Sequence, residues 1–499
     1  MRINRRTMIT MRARMSVKLS ALLSICTLYL AGCQSVSLTQ QPGADIQKQP
    51  NVLLIMVDDY RTAMGAMGDT RAITPNLDKL ASQGMLFNRA YANVPVCGAS
   101  RASMMTSIYP HKTRFIDYLA NAEREVPDAV TMGEFFKSAG YHTLSNGKVF
   151  HSREDSNEES WSESAWEPKA KGPAYFSEDS KNYVKPSKRF GNRGPWYERS
   201  NHDDEAYYDG QVKQKTIADL RRLAQQDKPF FLAAGFRRPH LPFNAPKTYF
   251  ELYNQTDFQP STLRTKPINA PESLTGSGEI HVYHFKNHQY NSDEFHRLSL
   301  LGYYAAVSFI DQQVGDILAT LDALGLRDDT IVVLTSDHGF NLGEHNYWGK
   351  HNMLNSALHI PLIIDAPDRE AALTSDALVS LVDVFPTLIE LAGLKPDQQL
   401  SQQMVGRSLV PLLTNPEDVH KPVVYSRFKQ GDTVITETLI YTEYVTADGH
   451  LQRMLFDLAV DPQETTNVVF EPRYHSDVKR LSAQLQQLKN QSEGYSTSQ

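Results

Sequence analysis

Asn51-Val-Leu-Leu-Ile-Met-Val-Asp-Asp59 is an unbroken apolar run that ends in two carboxylates. A half-exposed strand alternates polar and apolar side chains. This run does not, so it reads as a strand buried on both faces of a parallel sheet. Working outward, Pro229-Phe-Phe-Leu-Ala-Ala-Gly235, Ile331-Val-Val-Leu-Thr335 and Pro361-Leu-Ile-Ile-Asp365 have the same character. Helical patterns lie between them. Thr74-Pro75, followed by an apolar period up to Gly84, predicts an N-cap, a Pro at the first helical position and a C′ glycine. Thr131-Met-Gly-Glu134 predicts a capping box on a helix that stops at Gly140. Longer patterns run from about Leu298 to Leu324 and from Leu381 to Leu391. Strands alternating with helices predict an α/β sandwich built on a large, mostly parallel sheet. Two aperiodic, charged and aromatic stretches, His151 to His202 and Gln259 to Asp293, interrupt the alternation. Insertions of that kind commonly rim a site. From about Val423 the pattern becomes short strands with a turn at Thr446-Ala-Asp-Gly449, then a helix from about Ser476 to Leu488. The expected division is a large domain over 50–420 and a smaller α+β domain over 421–499 with a short antiparallel sheet.

The N-terminus reads as a processing segment. Arg2, Arg5, Arg6, Arg12, Arg14 and Lys18 precede an apolar run from Leu19 to Leu30, too short for a transmembrane helix and right for a signal peptide. It ends in Leu30-Ala31-Gly32-Cys33, which resembles the bacterial lipobox, in which the Cys is lipidated. The expectation is a lipoprotein signal over 1–32, a polar tether over 33–49, and anchoring through Cys33 to the outer membrane, for which Gln34 matches the sorting pattern. No second stretch is long and apolar enough to span a bilayer. Of the three cysteines, Cys26 leaves with the signal and Cys33 carries lipid, so Cys97 is left alone in an oxidising compartment. Removing the basic leader takes the net charge from −6 to −12. An acidic protein is a poor partner for nucleic acid, and an anionic substrate would need local positive contacts.

Polar residues that a core would not tolerate sit after three of the strands: Asp58 and Asp59, His240 in Arg237-Arg-Pro-His-Leu-Pro-Phe243, and Asp337-His338. Open α/β sheets bind ligands beyond the carboxyl ends of their strands, so these groups can converge. Three buried carboxylates together call for a cation, and oxygen donors suit a hard ion such as Ca²⁺ or Mg²⁺.

Val96-Cys97-Gly98-Ala99-Ser100-Arg101 resembles the signature of the type I sulfatases, Cys-x-(Pro or Ala)-Ser-Arg, with Ala99 where most of the family has Pro. Asn51 to Asp59, Thr74-Pro-Asn-Leu-Asp-Lys-Leu-Ala81, Gly147-Lys-Val-Phe-His151, Thr335-Ser-Asp-His-Gly339, Gly343-Glu-His345 and Leu455-Phe-Asp-Leu-Ala-Val-Asp-Pro-Gln-Glu464 match the same family in the same order. Gly147 to His151, Arg238-Pro-His-Leu-Pro-Phe243, Asp337-His338 and Trp348-Gly-Lys350 are most similar to its iduronate-2-sulfatase-like branch. The resemblance covers Asn51 to Val469 and implies an alkaline-phosphatase-like sandwich whose large domain is catalytic.

It further implies that a formylglycine-generating maturation enzyme oxidises Cys97, and that Asp58, Asp59, the modified Cys97, Asp337 and His338 hold one Ca²⁺. By the same resemblance, Arg101 and Lys148 orient the formylglycine, and Lys148 and Lys350 bind sulfate oxygens. His151 assists the covalent step and His240 protonates the leaving sugar oxygen. The implied substrate is a sulfated oligo- or polysaccharide, with uronate-containing polymers such as glycosaminoglycans or ulvan foremost. Arg237, Arg238 and His351 are further candidates for sugar contact, and His345 lies near the site by sequence. Two other readings stand beside this one: a phosphonate or phosphate monoester hydrolase of the same superfamily, and a glycan-binding lipoprotein in which Cys97 stays a thiol.

Overall fold

The computed structural model describes residues 49–169, 175–184 and 193–494. The signal, lipidation and tether readings at residues 1–48 lie outside the described residues. Asn51–Asp58 (β1) is an interior strand of a seven-stranded sheet and is buried along its whole length. Its unbroken apolar run feeds two cores. Val52, Leu54 and Met56 enter one layer, and Leu53, Ile55 and Val57 enter the other.

The remaining strands are Met85–Phe87 (β2), His142–Gly147 (β3), Phe230–Pro239 (β4), Thr330–Ser336 (β5), Leu362–Asp365 (β6) and Leu373–Ser375 (β7). Their order is β7-β2-β6-β5-β1-β4-β3. β1 pairs in parallel with β4 and β5, β3 with β4, and β7 with β2. β6 is the exception: it runs antiparallel to both β5 and β2. The cause lies in its connection. After β5 the chain stays at the strand's carboxyl end, where Gly339 N–H donates to the Ala357 carbonyl at 2.9 Å. It then enters β6 from that same end, with Leu362 opposite Thr335. A parallel entry would need a crossover back to the other edge.

Pro75–Gln83 (α1) begins where the sequence predicts, but Thr74 does not cap it. The Thr74 hydroxyl accepts from Gly65 N–H at 3.0 Å. The free amides go instead to Asp311, which accepts from Asn76 N–H at 3.1 Å and Leu77 N–H at 2.8 Å. Gly84 likewise is extended rather than left-handed, and a Cβ there would lie 2.6 Å from the Ile364 carbonyl oxygen. Close packing on β6, not C-capping, requires that glycine. Cys97–Thr106 (α2) is buried throughout and starts at Cys97 itself. Met132–Ser138 (α3) carries the predicted capping box, and Gly140 has φ +96°. Tyr208–Leu223 (α4) and Asp293–Ala323 (α5) pack on the second layer. α5 starts five residues before the apolar pattern because the Ser292 hydroxyl accepts from Phe295 N–H.

At the C-terminal end, Val424–Phe428, Gly431–Ile435, Leu439–Val445 and Leu451–Asp457 form an antiparallel four-stranded sheet. His475–Glu493 (α6) lays Leu481 and Leu485 on Tyr425, Val434, Tyr441 and Leu455. Beside this sheet lies Glu464, whose carboxylate accepts Asn355 N–H, from the loop after β5, with both oxygens, at 3.1 and 2.9 Å. Burial raises Glu464 from 4.5 to about 8. The folded protein therefore keeps this proton at pH values where the unfolded chain has released it. The associated stability is full below about pH 4 and is lost as pH rises through about 8. Glu464→Gln, which does not titrate, is expected to remove this dependence. Thermal melts across that range should show the wild-type Tm falling by several degrees relative to the variant.

Candidate active site

The carboxyl ends of β1 and β5 lie side by side and set down Asp58, Asp59, Asp337 and His338, none more than 1 % exposed. Asp59 has φ +59°, a left-handed conformation that costs a non-glycine residue. Two contacts hold it there: Asp59 N–H donates to Asp337 Oδ1 at 3.2 Å, and the Tyr303 hydroxyl on α5 donates to the Asp59 carbonyl at 2.8 Å. Ser336 completes the joint, donating to the Val57 carbonyl and accepting from Tyr60 N–H.

α2 brings Cys97 and Arg101 to the same place, one turn apart on one face. Arg101 Nε donates to Asp337 Oδ2 at 2.8 Å, its Nη2 lies 3.6 Å from Asp58 Oδ1, and its Nη1 donates to the Lys148 carbonyl. Ser100 Oγ donates to the Asp337 carbonyl at 2.5 Å. Gly98 is required where it stands, because a Cβ there would meet the Tyr118 carbonyl oxygen at 2.3 Å. Lys148 follows β3 and reaches Asp58 Oδ2 at 2.5 Å. It is delivered by the close approach of Gly147, at φ +79°, to Gly235 on β4. Lys350 contacts both oxygens of Asp59 at 2.8 Å.

The structure thus brings together Asp58, Asp59, Cys97, Arg101, Lys148, Asp337, His338 and Lys350, and sets His151 and His240 at the mouth of the cluster. These groups line, or lie directly beneath, a cavity of about 750 Å³. The sugar-contact candidates Arg237, Arg238 and His351 line this cavity. His345 does not: it is buried between the carbonyls of Thr265, at 3.2 Å, and Gln463, at 2.8 Å, and ties two loops together.

Alternating charge governs protonation here. Burial opposes ionisation of Asp58, yet Lys148, His240 and Arg101 hold it well below the ordinary carboxylate range. Burial, reinforced by the charge of Asp58, pushes the Cys97 thiol well up, so the unmodified side chain is a poor nucleophile. The two histidines diverge. Burial and the charge of Lys148 push His151 well down, and its Nδ1 is buried without a hydrogen-bond partner. His240 is raised despite its burial, because Asp59 and Glu279 favour the imidazolium. Two histidines shifted in opposite directions on one cavity are suited to opposite proton-transfer tasks.

The donor set fits a hard divalent ion. Oxygens of Asp58 and Asp337, His338 Nε2 and Cys97 Sγ lie within 4.8 Å of one another, and Asp59 faces the same point. His338 Nδ1 lies 2.9 Å from the Gly339 carbonyl, which fixes its proton on that nitrogen and points the Nε2 lone pair inward. Asp58 Oδ1 is buried without a hydrogen-bond donor. The thiol is the one soft member of an otherwise oxygen-rich set, and an oxygen at that position would match it better.

Sequence reasoning missed Glu279, which lies in the second insertion and touches both Lys350 at 2.7 Å and His240 at 2.9 Å. An acid in an aperiodic loop carries no positional signal. Tyr303 and Gly98 were also missed; their roles depend on contacts across long sequence separations.

Fold and site together are those of a hydrolase of anionic esters, with a buried acidic cluster that could hold a metal ion. The Sulfatase family model matches residues 50–394, and a model described as N-sulphoglucosamine sulphohydrolase, C-terminal, matches 343–491. Iduronate 2-sulfatase of Homo sapiens is 32% identical over 385 residues, covering 69% of each chain. An ulvan-active sulfatase of Formosa agariphila is 29% identical over 468 residues, covering 88% of this chain and 81% of its own. Among solved structures, the phosphonate monoester hydrolase of Agrobacterium radiobacter superposes with a TM-score of 0.72 at 24% identity, covering 89% of this chain and 96% of its own. The chain belongs to the sulfatase family and is a sulfuric ester hydrolase.

Proposed function

We propose that this sulfatase removes sulfate from a uronate-containing oligo- or polysaccharide, using a formylglycine made from Cys97 and one calcium ion held by Asp58, Asp59, Asp337 and His338. The observation that carries the reading is the arrangement around Cys97: three buried carboxylates interleaved with Arg101, Lys148 and Lys350 at hydrogen-bonding distance. Hydrated formylglycine supplies the attacking hydroxyl and bound calcium neutralises the ester's charge. The remaining work belongs to the chain. Lys148 and Lys350 bind the sulfate oxygens and stabilise their charge as the S–O bond breaks. Arg101, fixed by Asp337 and by the backbone after β3, holds the position of residue 97. His151, neutral, accepts a proton on the nucleophile's side. His240, charged, donates one from Nε2 to the leaving oxygen, a contribution of roughly 10²- to 10⁴-fold.

The sugar is inferred from similarity to an iduronate 2-sulfatase and an ulvan-active sulfatase, and from a cavity whose wall carries Arg237, Arg238 and Tyr283. The N-terminal sequence supports export and lipid attachment at Cys33, with the outer membrane as destination. Free sulfate measured by ion chromatography, over a panel of defined sulfated oligosaccharides, tests the assignment. Release from a uronate- or rhamnose-containing member supports it; release from none, by protein whose formylglycine is verified by mass, contradicts it. In the same assay a calcium chelator is expected to reduce the rate at least about 10²-fold, with recovery on adding calcium back. Calcium is also expected to raise Tm, since it binds only the folded cluster.

A further inference from the structure

We propose that Glu279 is a positioning residue that sets the proton-donating histidine His240 and the sulfate-binding lysine Lys350 at a fixed separation. This rests on the roles proposed above for those two side chains. Glu279 divides its carboxylate between them. Oε1 lies 2.9 Å from His240 Nε2 and Oε2 lies 2.7 Å from Lys350 Nζ. Lys350 spends its other contacts on the two oxygens of Asp59, each at 2.8 Å. Its ammonium is thus held between the Asp59 and Glu279 carboxylates at the cavity wall. His240 is pinned equally well, because its Nδ1 lies 2.6 Å from the Leu241 carbonyl and only Nε2 faces the cavity.

The turn that carries Glu279 is tied to both arms it bridges. At one end, Ser277 Oγ accepts from Glu279 N–H at 3.2 Å and pairs with His351 Nδ1 at 3.0 Å, next to Lys350. Gly349 packs against the same serine so closely that a Cβ would lie 2.8 Å from the Ser277 Cβ. At the other end, the Tyr283 hydroxyl donates to the Leu241 carbonyl at 3.1 Å, the acceptor that also holds His240. The second insertion therefore clamps the loop after β4 to the loop bearing Lys350, with Glu279 as the charged contact in the middle. As the S–O bond breaks, its electron pair stays on the sugar oxygen, and the Nε2 proton of His240, held against Glu279 Oε1 before substrate enters, passes to that oxygen. The imidazole is left neutral. Glu279 stays a carboxylate throughout, keeping the ring plane and the ammonium where that transfer needs them.

A purely architectural salt bridge would make the same contacts, and a mutant cycle separates the two cases. Glu279→Gln is nearly isosteric but cannot accept from both partners. On a sugar sulfate the enzyme turns over, it is expected to lower kcat/KM by about 10- to 100-fold, with kcat carrying most of the loss. In a His240→Ala background the same substitution is expected to cost several-fold less than in wild type, because only its hold on Lys350 is left to lose. Equal proportional losses in both backgrounds would overturn the inference, as would no loss in the wild-type background. Glu279→Asp, which keeps the charge but is one methylene shorter, is carried through the same cycle and decides the matter should the Gln variant not fold. Wild-type protein that hydrolyses no sulfate ester would remove the proposed function and this inference with it, an outcome distinct from an active enzyme with an additive cycle.

Discussion

Cys97→Ser is expected to lower steady-state sulfate release by about 10⁴-fold or more, the scale of losing a reacting nucleophile. The argument concerns the exit of sulfate as much as its attack. Residue 97 sits in the first turn of α2, 3 % exposed, with His338 Nε2 3.3 Å from its sulfur. A serine hydroxyl fits that space and finds the same cations around it. What it lacks is a second hydroxyl on the same carbon, whose electrons would expel the bound sulfate. The variant is therefore expected to retain its Tm, to react once at most, and to hold the sulfuryl group as a stable ester. Intact mass after incubation with substrate reads that adduct directly. Turnover by the serine variant within about ten-fold of wild type would contradict the role given to residue 97.

Asp337→Ala is expected to abolish activity and also to destabilise the fold, by about 3–5 kcal/mol. Asp337 is fully buried and does three things at once. Its Oδ2 takes Arg101 Nε at 2.8 Å, while its Oδ1 accepts Asp59 N–H at 3.2 Å and His338 N–H at 3.0 Å. Removal leaves the Arg101 guanidinium buried with only Asp58, 3.6 Å away, as a counter-charge. It also frees the left-handed Asp59 from one of its two restraints. Asp337→Asn keeps the shape and some of the hydrogen bonds, so it should lose activity with a smaller drop in Tm. Thermal melts and sulfate release measured on both variants separate the structural from the chemical contribution. Equal Tm values for wild type and the Ala variant would contradict the account of this aspartate.

Much of this was legible in the sequence because the signals were local. A run such as Val52 to Val57, apolar on both faces, has few homes outside a sheet covered on both sides. The capping box at Thr131 closes within four residues and forms as read. Elsewhere the competing partner came from far along the chain. Asp311, on α5, supplies the cap that Thr74 was expected to supply. β6 reverses direction because its preceding loop stays at the site, a fact of topology to which its apolar composition is blind. At the site, residues flanking recognisable strands were readable: Asp58, Asp59, Asp337, His338 and Lys148. Glu279 was not, since the insertion that carries it has no period and its partners, Lys350 and His240, lie 71 and 39 positions away. His345 shows the opposite failure. Its place beside Gly343 and Glu344 suggested the cavity, whereas φ +55° turns it away towards Thr265 and Gln463.

The fold is shared with a phosphonate monoester hydrolase, so architecture alone does not choose between sulfur and phosphorus. The most direct measurement is therefore a paired one: free sulfate and free phosphate released by the calcium-loaded protein from the sulfate and phosphate monoesters of one uronate-containing oligosaccharide. The account predicts sulfate release with kcat/KM well above that for the phosphate ester, and loss of that release in Cys97→Ala. Preferential release of phosphate, or sulfate release undiminished in Cys97→Ala, would contradict it.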